Sequence, residues 1–174
     1  MRWQVNSERT LYQDQWVHLL TADVELPDGR HLDHRLIRTE PGAGAVVVVN
    51  GKVLLLWRHR FITDTWTYEI PVGAIGNDEP AVAAAREVEE ETGWRPGPLR
   101  PLIYTQPTPG LMNSEHHIFR ADSAEYIGPP VDGFESERVE WVPLDDTRRL
   151  IDKRDIVTGT TLVALLYLLA DTGR

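Results

Sequence analysis

Between Gly73 and Glu91 the chain carries six acidic residues against a single basic one, Arg86. The stretch Ala81 to Thr92 has a strong helical pattern, opened by Pro80, which a first helical turn tolerates, and closed by Gly93. At about 100° per residue, Ala81, Ala84, Ala85 and Val88 would form a small apolar face suited to lying close against a sheet. With Glu87 set at zero, Glu90 falls at about −60° and Glu91 at about +40°, so three carboxylates converge on one side. Like charges three and four residues apart repel by roughly 0.2–0.5 kcal/mol per pair, so a helix that gathers three needs a compensating partner. Oxygen-rich carboxylate clusters are what hard divalent cations such as Mg²⁺ or Mn²⁺ require. The competing reading is a solvated acidic face. Glu89 points away from the other three and is the internal control, expected to be dispensable.

Other chemistries find no footing. The absence of cysteine removes disulfides, thiolate metal sites and cysteine nucleophiles together. His116 and His117 are adjacent on an expected strand and must face opposite sides. No His-Glu-x-x-His spacing, serine elbow or phosphate-cradling Gly-Lys-Ser/Thr loop occurs. With 18 Lys+Arg against 27 Asp+Glu, the net charge of −9 disfavours nucleic acid, whose binding depends on basic side chains displacing counterions. A small anionic ligand is still compatible, held by cations or a few local arginines. No apolar run reaches a membrane-spanning length and the N-terminus lacks a signal pattern, so a soluble cytoplasmic protein is expected.

The elements that must position the acidic helix follow from periodicity and turn chemistry. The 174 residues suit one ordinary domain with a small appendage. Residues 16–38 read as a β-hairpin or meander around Pro27-Asp28-Gly29-Arg30, with Trp16 at the start of a strand. Val46–Val49 and Lys52–Trp57 form a second hairpin across Asn50-Gly51. Strands are expected around Leu102–Thr105, Glu115–Arg120 and Arg138–Pro143, then helices over Leu144–Asp152 and from Thr160 to about Ala170. The order is α+β without regular βαβ repetition.

The segment Arg86-Glu87-Val88-Glu89-Glu90-Glu91-Thr92-Gly93-Trp94 resembles the second half of the Nudix box at every fixed position. Gly73, preceded by Glu69-Ile70-Pro71-Val72, resembles its opening glycine. The loop before the helix is one residue short of the family pattern. Asp78 rather than Glu79 is preferred for the box's first acidic position, because deleting a helix residue would rotate the carboxylate face by about 100°. Pro107-Thr108-Pro109-Gly110 resembles a loop of the ADP-ribose pyrophosphatase subfamily, with Pro109 sixteen residues beyond Gly93. The N-terminal hairpin and Trp57-Arg58-His59-Arg60-Phe61 are similar to that subfamily too.

The resemblance implies a Nudix-type α/β/α sandwich with a mixed sheet over residues 41–174, preceded by an antiparallel β region over 1–40 that helps form a homodimer. It implies Mg²⁺, or Mn²⁺, on Glu87, Glu90, Glu91 and the Val72 carbonyl, with Arg86 orienting the carboxylates and Gly73, Asp78 and Gly93 shaping the loop and helix. The general base is expected in the acidic loop before Arg138, from Glu135 or Glu137. Trp16 is the candidate for stacking on the base, Arg35 and Arg60 for phosphate or ribose, and Pro109 and Gly110 for the substrate loop. The activity implied is hydrolysis of the pyrophosphate bond of ADP-ribose or a related nucleoside diphosphate sugar. The alternatives are another nucleotide substrate, such as a dinucleotide, or a sensor that binds ADP-ribose without cleaving it.

Overall fold

A computed structural model describes residues 2–131 and 133–171. The chain divides into two compact units, one built from the stretch up to Glu40 together with Gln106–Glu115, the other from Pro41–Thr105 and the stretch from His116 on. Among the described residues, no helix is long and apolar enough to cross a membrane.

The N-terminal unit is a three-stranded antiparallel sheet of β1 (Gln4–Gln13), β2 (His18–Glu25) and β3 (His31–Arg38). Strands β2 and β3 are joined by the expected turn, where Gly29 adopts a positive φ and the Leu26 amide bonds the Arg30 carbonyl. Strand β1 falls within the antiparallel β region expected over residues 1–40, although no individual strand is expected at its residues. Its side chains are exposed throughout, so its sequence lacks the alternation that marks a half-buried strand. Trp16 lies in the β1–β2 turn rather than in a strand. Residues 106–115, expected in the second domain, belong to this unit: Met112 bridges Ile37, and the Thr39 amide bonds the Asn113 side chain.

The second unit is organised by β4 (Gly42–Val49) and β5 (Lys52–Arg60). These are paired across Asn50-Gly51, both with positive φ, as a tight hairpin turn requires. Five strands run in the order β12 (Arg138–Pro143), β5, β4, β10 (His116–Ala121) and β9 (Arg100–Thr105). Strand β6 (Thr65–Glu69) pairs with β5, and β7 (Val72–Ala74) with β4. The sheet is mixed, since β4 and β10 are parallel and the other pairs antiparallel. Two short strands, β8 (Trp94–Pro96) and β11 (Ala124–Tyr126), form a separate antiparallel pair.

Both faces of the central strands are buried, which is why Val46–Val49 reads as an uninterrupted apolar run. Ala43, Ala45 and Val47 of β4 and Leu54 of β5 face helix α1 (Pro80–Thr92), meeting Ala83, Ala84 and Val88. Val46, Val53 and Leu55 face the other way, onto Ala164, Leu165 and Leu168 of α3 (Gly159–Asp171) and Leu150 of α2 (Thr147–Asp152). The result is the α/β/α layering expected from the sequence. The helix expected over Leu144–Asp152 is a 3₁₀ turn over Leu144–Asp146 followed by α2.

Candidate active site at the C-terminal half of helix α1

Glu79 serves as the N-cap of α1 through its backbone, with Pro80 in the first turn. Gly93 ends the helix in the left-handed region at φ 74°, its amide returning to the Glu89 carbonyl. A side chain there would collide with the Gly128 carbonyl, so both conformation and space require glycine.

The buried face of α1 differs from expectation. Ala83, Ala84, Val88, Glu91 and Thr92 are buried, whereas Ala81 and Ala85 are only partly so. The helix is therefore rolled by roughly 50° toward its carboxylates. What permits this is Arg58 of β5, 4% exposed, whose Nη2 donates to Glu91 Oε1 at 2.8 Å. Periodicity treats Glu91 as polar and puts it outside. The ion pair lets it go under.

Arg86, Asp78 and Gly73 hold the face in shape. Arg86 Nη1 lies between Glu87 Oε1 at 2.7 Å and Glu90 Oε2 at 3.0 Å. Its Nη2 donates to the Ala74 carbonyl at 2.9 Å, and its Nε to Asp78 Oδ2 at 3.3 Å. Asp78, not Glu79, therefore meets the arginine. Gly73 lets the Glu87 carboxylate sit on the backbone: an added Cβ would stand 2.5 Å from Oε1 and closer to Oε2 and Cδ. Val72 begins the same strand, β7. Glu89 turns away and pairs with Arg95 at 2.8 Å.

Burial pushes the Glu91 carboxyl up to about 7, against the opposing effect of the Arg58 guanidinium, while the nearby Glu135 raises it further. Burial also raises Glu87, with Arg86 opposing. Glu91 Oε2 is buried with no hydrogen-bond partner. Among the described residues, no three acidic or histidine side chains stand close enough to share one cation, because Arg86 bridges Glu87 and Glu90 instead. The donors nevertheless suit a hard divalent cation: oxygen ligands, an orphaned carboxylate oxygen and excess negative charge.

Strands β5 and β6 supply the opposite wall. Their register puts Leu56, Arg58, Arg60 and Glu69 on the face toward α1, and Trp57, His59, Trp66 and Tyr68 on the other. Arg60 is engaged by the buried Glu69 carboxylate in a two-pronged contact, with Nε to Oε1 at 2.9 Å. Sequence reasoning named neither Arg58 nor Glu69 for the site. Their signal was parity: residues 58, 60 and, across the hairpin, 69 share one face.

The loop from β11 to β12 is tied to α1 by Ile127 and Val131, whose amides bond the Gly93 and Glu90 carbonyls, and to β5 by the Glu137 amide on Trp57. Between these ties Glu135 Oε2 comes to 3.7 Å from Arg58 Nη1, with its side chain 54% exposed. Of the two loop glutamates, Glu135 is the one brought to the helix carboxylates.

The other candidates lie in the N-terminal unit. Trp16 is 79% exposed, its turn held by the Asp14 side chain. Arg35 Nη1 donates to Thr21 Oγ1 and the Asp33 carbonyl. Pro109 and Gly110 line a cavity of about 250 Å³ with Ala22, Leu36 and Met112, and the Gly110 carbonyl accepts from His34 Nε2.

Comparison with known proteins identifies the family. Residues 38–159 match the NUDIX domain model, and residues 3–37 match the nucleoside diphosphate sugar hydrolase N-terminal domain. The chain is 40% identical to CMP-5'-(N-acetyl-N-hydroxy-3-aminopropyl)phosphonate hydrolase of Streptomyces rubellomurinus, over 99% of this chain and 85% of that protein. It is 29% identical to ADP-ribose pyrophosphatase of Bacillus subtilis, over 93% of this chain and 90% of that one. A GDP-mannose pyrophosphatase of Escherichia coli is also 29% identical, over 87% and 86% respectively. A crystal structure of an ADP compounds hydrolase superposes with a TM-score of 0.87 at 18% identity, covering 98% of this chain and 94% of that one. The chain belongs to the Nudix family of hydrolases.

Proposed function

We propose that this Nudix hydrolase cleaves the pyrophosphate bond of a nucleoside diphosphate sugar, ADP-ribose first among them, to a nucleoside monophosphate and a sugar phosphate. The observation that carries the reading is the succession of two family models along one chain, a nucleoside diphosphate sugar hydrolase N-terminal domain followed at once by the Nudix domain. Nudix hydrolases generally require divalent metal ions, and Glu87, Glu90, Glu91 and the Val72 carbonyl are assigned to hold Mg²⁺, with Mn²⁺ as a substitute. A cation bound there would neutralise phosphate oxygens and acidify a water. Arg86 fixes the directions of Glu87 and Glu90. Glu135 is the assigned general base, because its carboxylate lies beside the buried Glu91–Arg58 pair while its own side chain stays open to solvent. Arg60, in the second unit, is assigned to phosphate or ribose; in the N-terminal unit the resemblance assigns Trp16 to stacking on the base, Arg35 to phosphate or ribose, and Pro109 and Gly110 to the substrate loop.

The relative that is 40% identical favours a second reading: a nucleoside monophosphate joined to a phosphonate, which presents the same P–O–P bond. We further expect a cytoplasmic homodimer. Support for association comes from Trp3, Val5, Leu11 and Tyr12, large apolar side chains exposed on or beside β1, since a grouped apolar surface of this kind marks interaction sites. Light scattering at known protein concentration tests it.

Product analysis by mass spectrometry tests the function. The protein with Mg²⁺ is offered ADP-ribose, other ADP- and GDP-sugars, CMP-phosphonates and dinucleotides, in ¹⁸O water to mark the phosphorus attacked. AMP and ribose 5-phosphate are the expected products. Binding of ADP-ribose without cleavage of any compound would refute the enzymatic reading.

A further inference from the structure

The loop glutamate and the helix glutamate of the site are joined by one buried guanidinium. Arg58 extends from β5, is nearly inaccessible, and offers its two terminal nitrogens to different carboxylates: Nη2 to Glu91 Oε1 at 2.8 Å and Nη1 to Glu135 Oε2 at 3.7 Å. Glu91 is fixed by the helix that carries it. Glu135 is not, since it sits mid-loop between the Val131 and Glu137 backbone ties, next to a wholly exposed Phe134. Among the described residues, Arg58 is the cation paired with Glu135. Two ionised carboxylates brought together repel, so a loop carrying one of them stays beside the other only where a proton is shared or a cation stands between. A planar guanidinium presents its two terminal nitrogens at a fixed spacing and in fixed directions, whereas a lysine ammonium carries three rotatable donors on a shorter side chain and sets neither.

We propose that Arg58 is a positioning residue that brackets Glu91 and Glu135, holding the loop carboxylate in register with the helix carboxylates. The proposal rests on the reading above that Glu135 acts in hydrolysis. It requires more than charge neutralisation of a buried acid, which a lysine would also supply. Its functional sense is that one side chain sets both the direction of Glu91, leaving Oε2 without a protein partner, and the place of Glu135.

The test is a double-mutant cycle of Arg58→Lys and Glu135→Gln, read in two ways. In metal-free protein, chymotrypsin cleavage after the exposed Phe134 reports how firmly the loop is held. Arg58→Lys should accelerate cleavage when Glu135 is intact and not in the Glu135→Gln background, with thermal unfolding shifted by only a few degrees. With ADP-ribose and Mg²⁺, Arg58→Lys should lower kcat by about 10- to 100-fold with KM nearly unchanged, and the double variant should be no worse than the worse single one. Losses that multiply, or a lysine variant with wild-type kcat and loop cleavage, would overturn the proposal. Should Arg58→Lys fail to fold, Glu135→Gln alone decides: the proposal requires it to free the loop, and unchanged cleavage overturns it. If the wild-type protein cleaves no nucleotide sugar, the functional reading fails while the cleavage cycle still reports on the bracket.

Discussion

In chelator, the stability of this protein should fall as pH rises from 5 to 8, and Glu91 should be the reason. The Glu91 carboxyl stands at about 7 in the folded chain against 4.5 as its ordinary value, because it is buried. A folded-state value raised above the unfolded one favours folding most below 4.5, where both states are protonated, and that advantage is lost as pH climbs through 7. Integrated between pH 5 and 8, this single group removes about 2.5 kcal/mol of stability, on the order of 5–10 °C in midpoint for a chain of this length. Other groups titrate in the same window, so the quantity to measure is the difference between wild type and Glu91→Gln. Denaturant unfolding of both, in chelator, at half-unit intervals isolates it. The wild-type curve should descend relative to the variant and flatten above pH 8, and saturating Mg²⁺ should remove most of the descent by favouring the ionised form. Parallel curves for the two proteins, or a wild type that gains on the variant with pH, would refute the argument from burial.

Gly73→Ala should cost on the order of 100-fold in turnover while leaving unfolding nearly unchanged, because the added carbon must displace the Glu87 carboxylate by about 1 Å; the same substitution at Gly159, where a Cβ meets nothing within 4 Å, is the control and should leave kcat alone. Glu90→Gln should reduce Mg²⁺-dependent turnover at least tenfold, whereas Glu89→Gln, which only releases Arg95, should stay within about twofold, as steady-state kinetics at saturating Mg²⁺ will show. Glu135→Gln should lower kcat by about 10²–10⁴-fold and Glu137→Gln by little, since only the former carboxylate reaches the site; comparable losses would move the base elsewhere.

The sequence carried the frame of the site better than its interior. The β4–β5 hairpin was legible from Asn50-Gly51, and the limits of α1 from Pro80 and Gly93, because turn and cap chemistry are local. The choice of Asp78 over Glu79 followed from helix geometry; in the structure Arg86 Nε donates to Asp78 Oδ2. The roll of α1 was not legible, because a hydrophobic pattern cannot register a carboxylate buried against an arginine 33 residues away in sequence. Arg58 was hidden for a related reason: a strand buried on both faces has no polar alternation to say which way its last residues point. Strand β1 lacked a signal because its residues are exposed throughout, leaving no alternation to read.

The two faces of the β5–β6 hairpin have a bearing on how the protein avoids misfolding. One face carries Arg58, Arg60 and Glu69, the other Trp57, His59, Trp66 and Tyr68. A slip of one residue in either strand would exchange the faces, driving guanidinium groups into the layer beneath α3 and turning tryptophans toward the carboxylates. Such a mispaired hairpin could not be completed into a stable molecule, so a chain that reaches its folded state has, by the same act, assembled its charged wall correctly. Core and chemistry share one checkpoint, and defects in pairing should surface as failure to fold rather than as a population of stable, inactive enzyme.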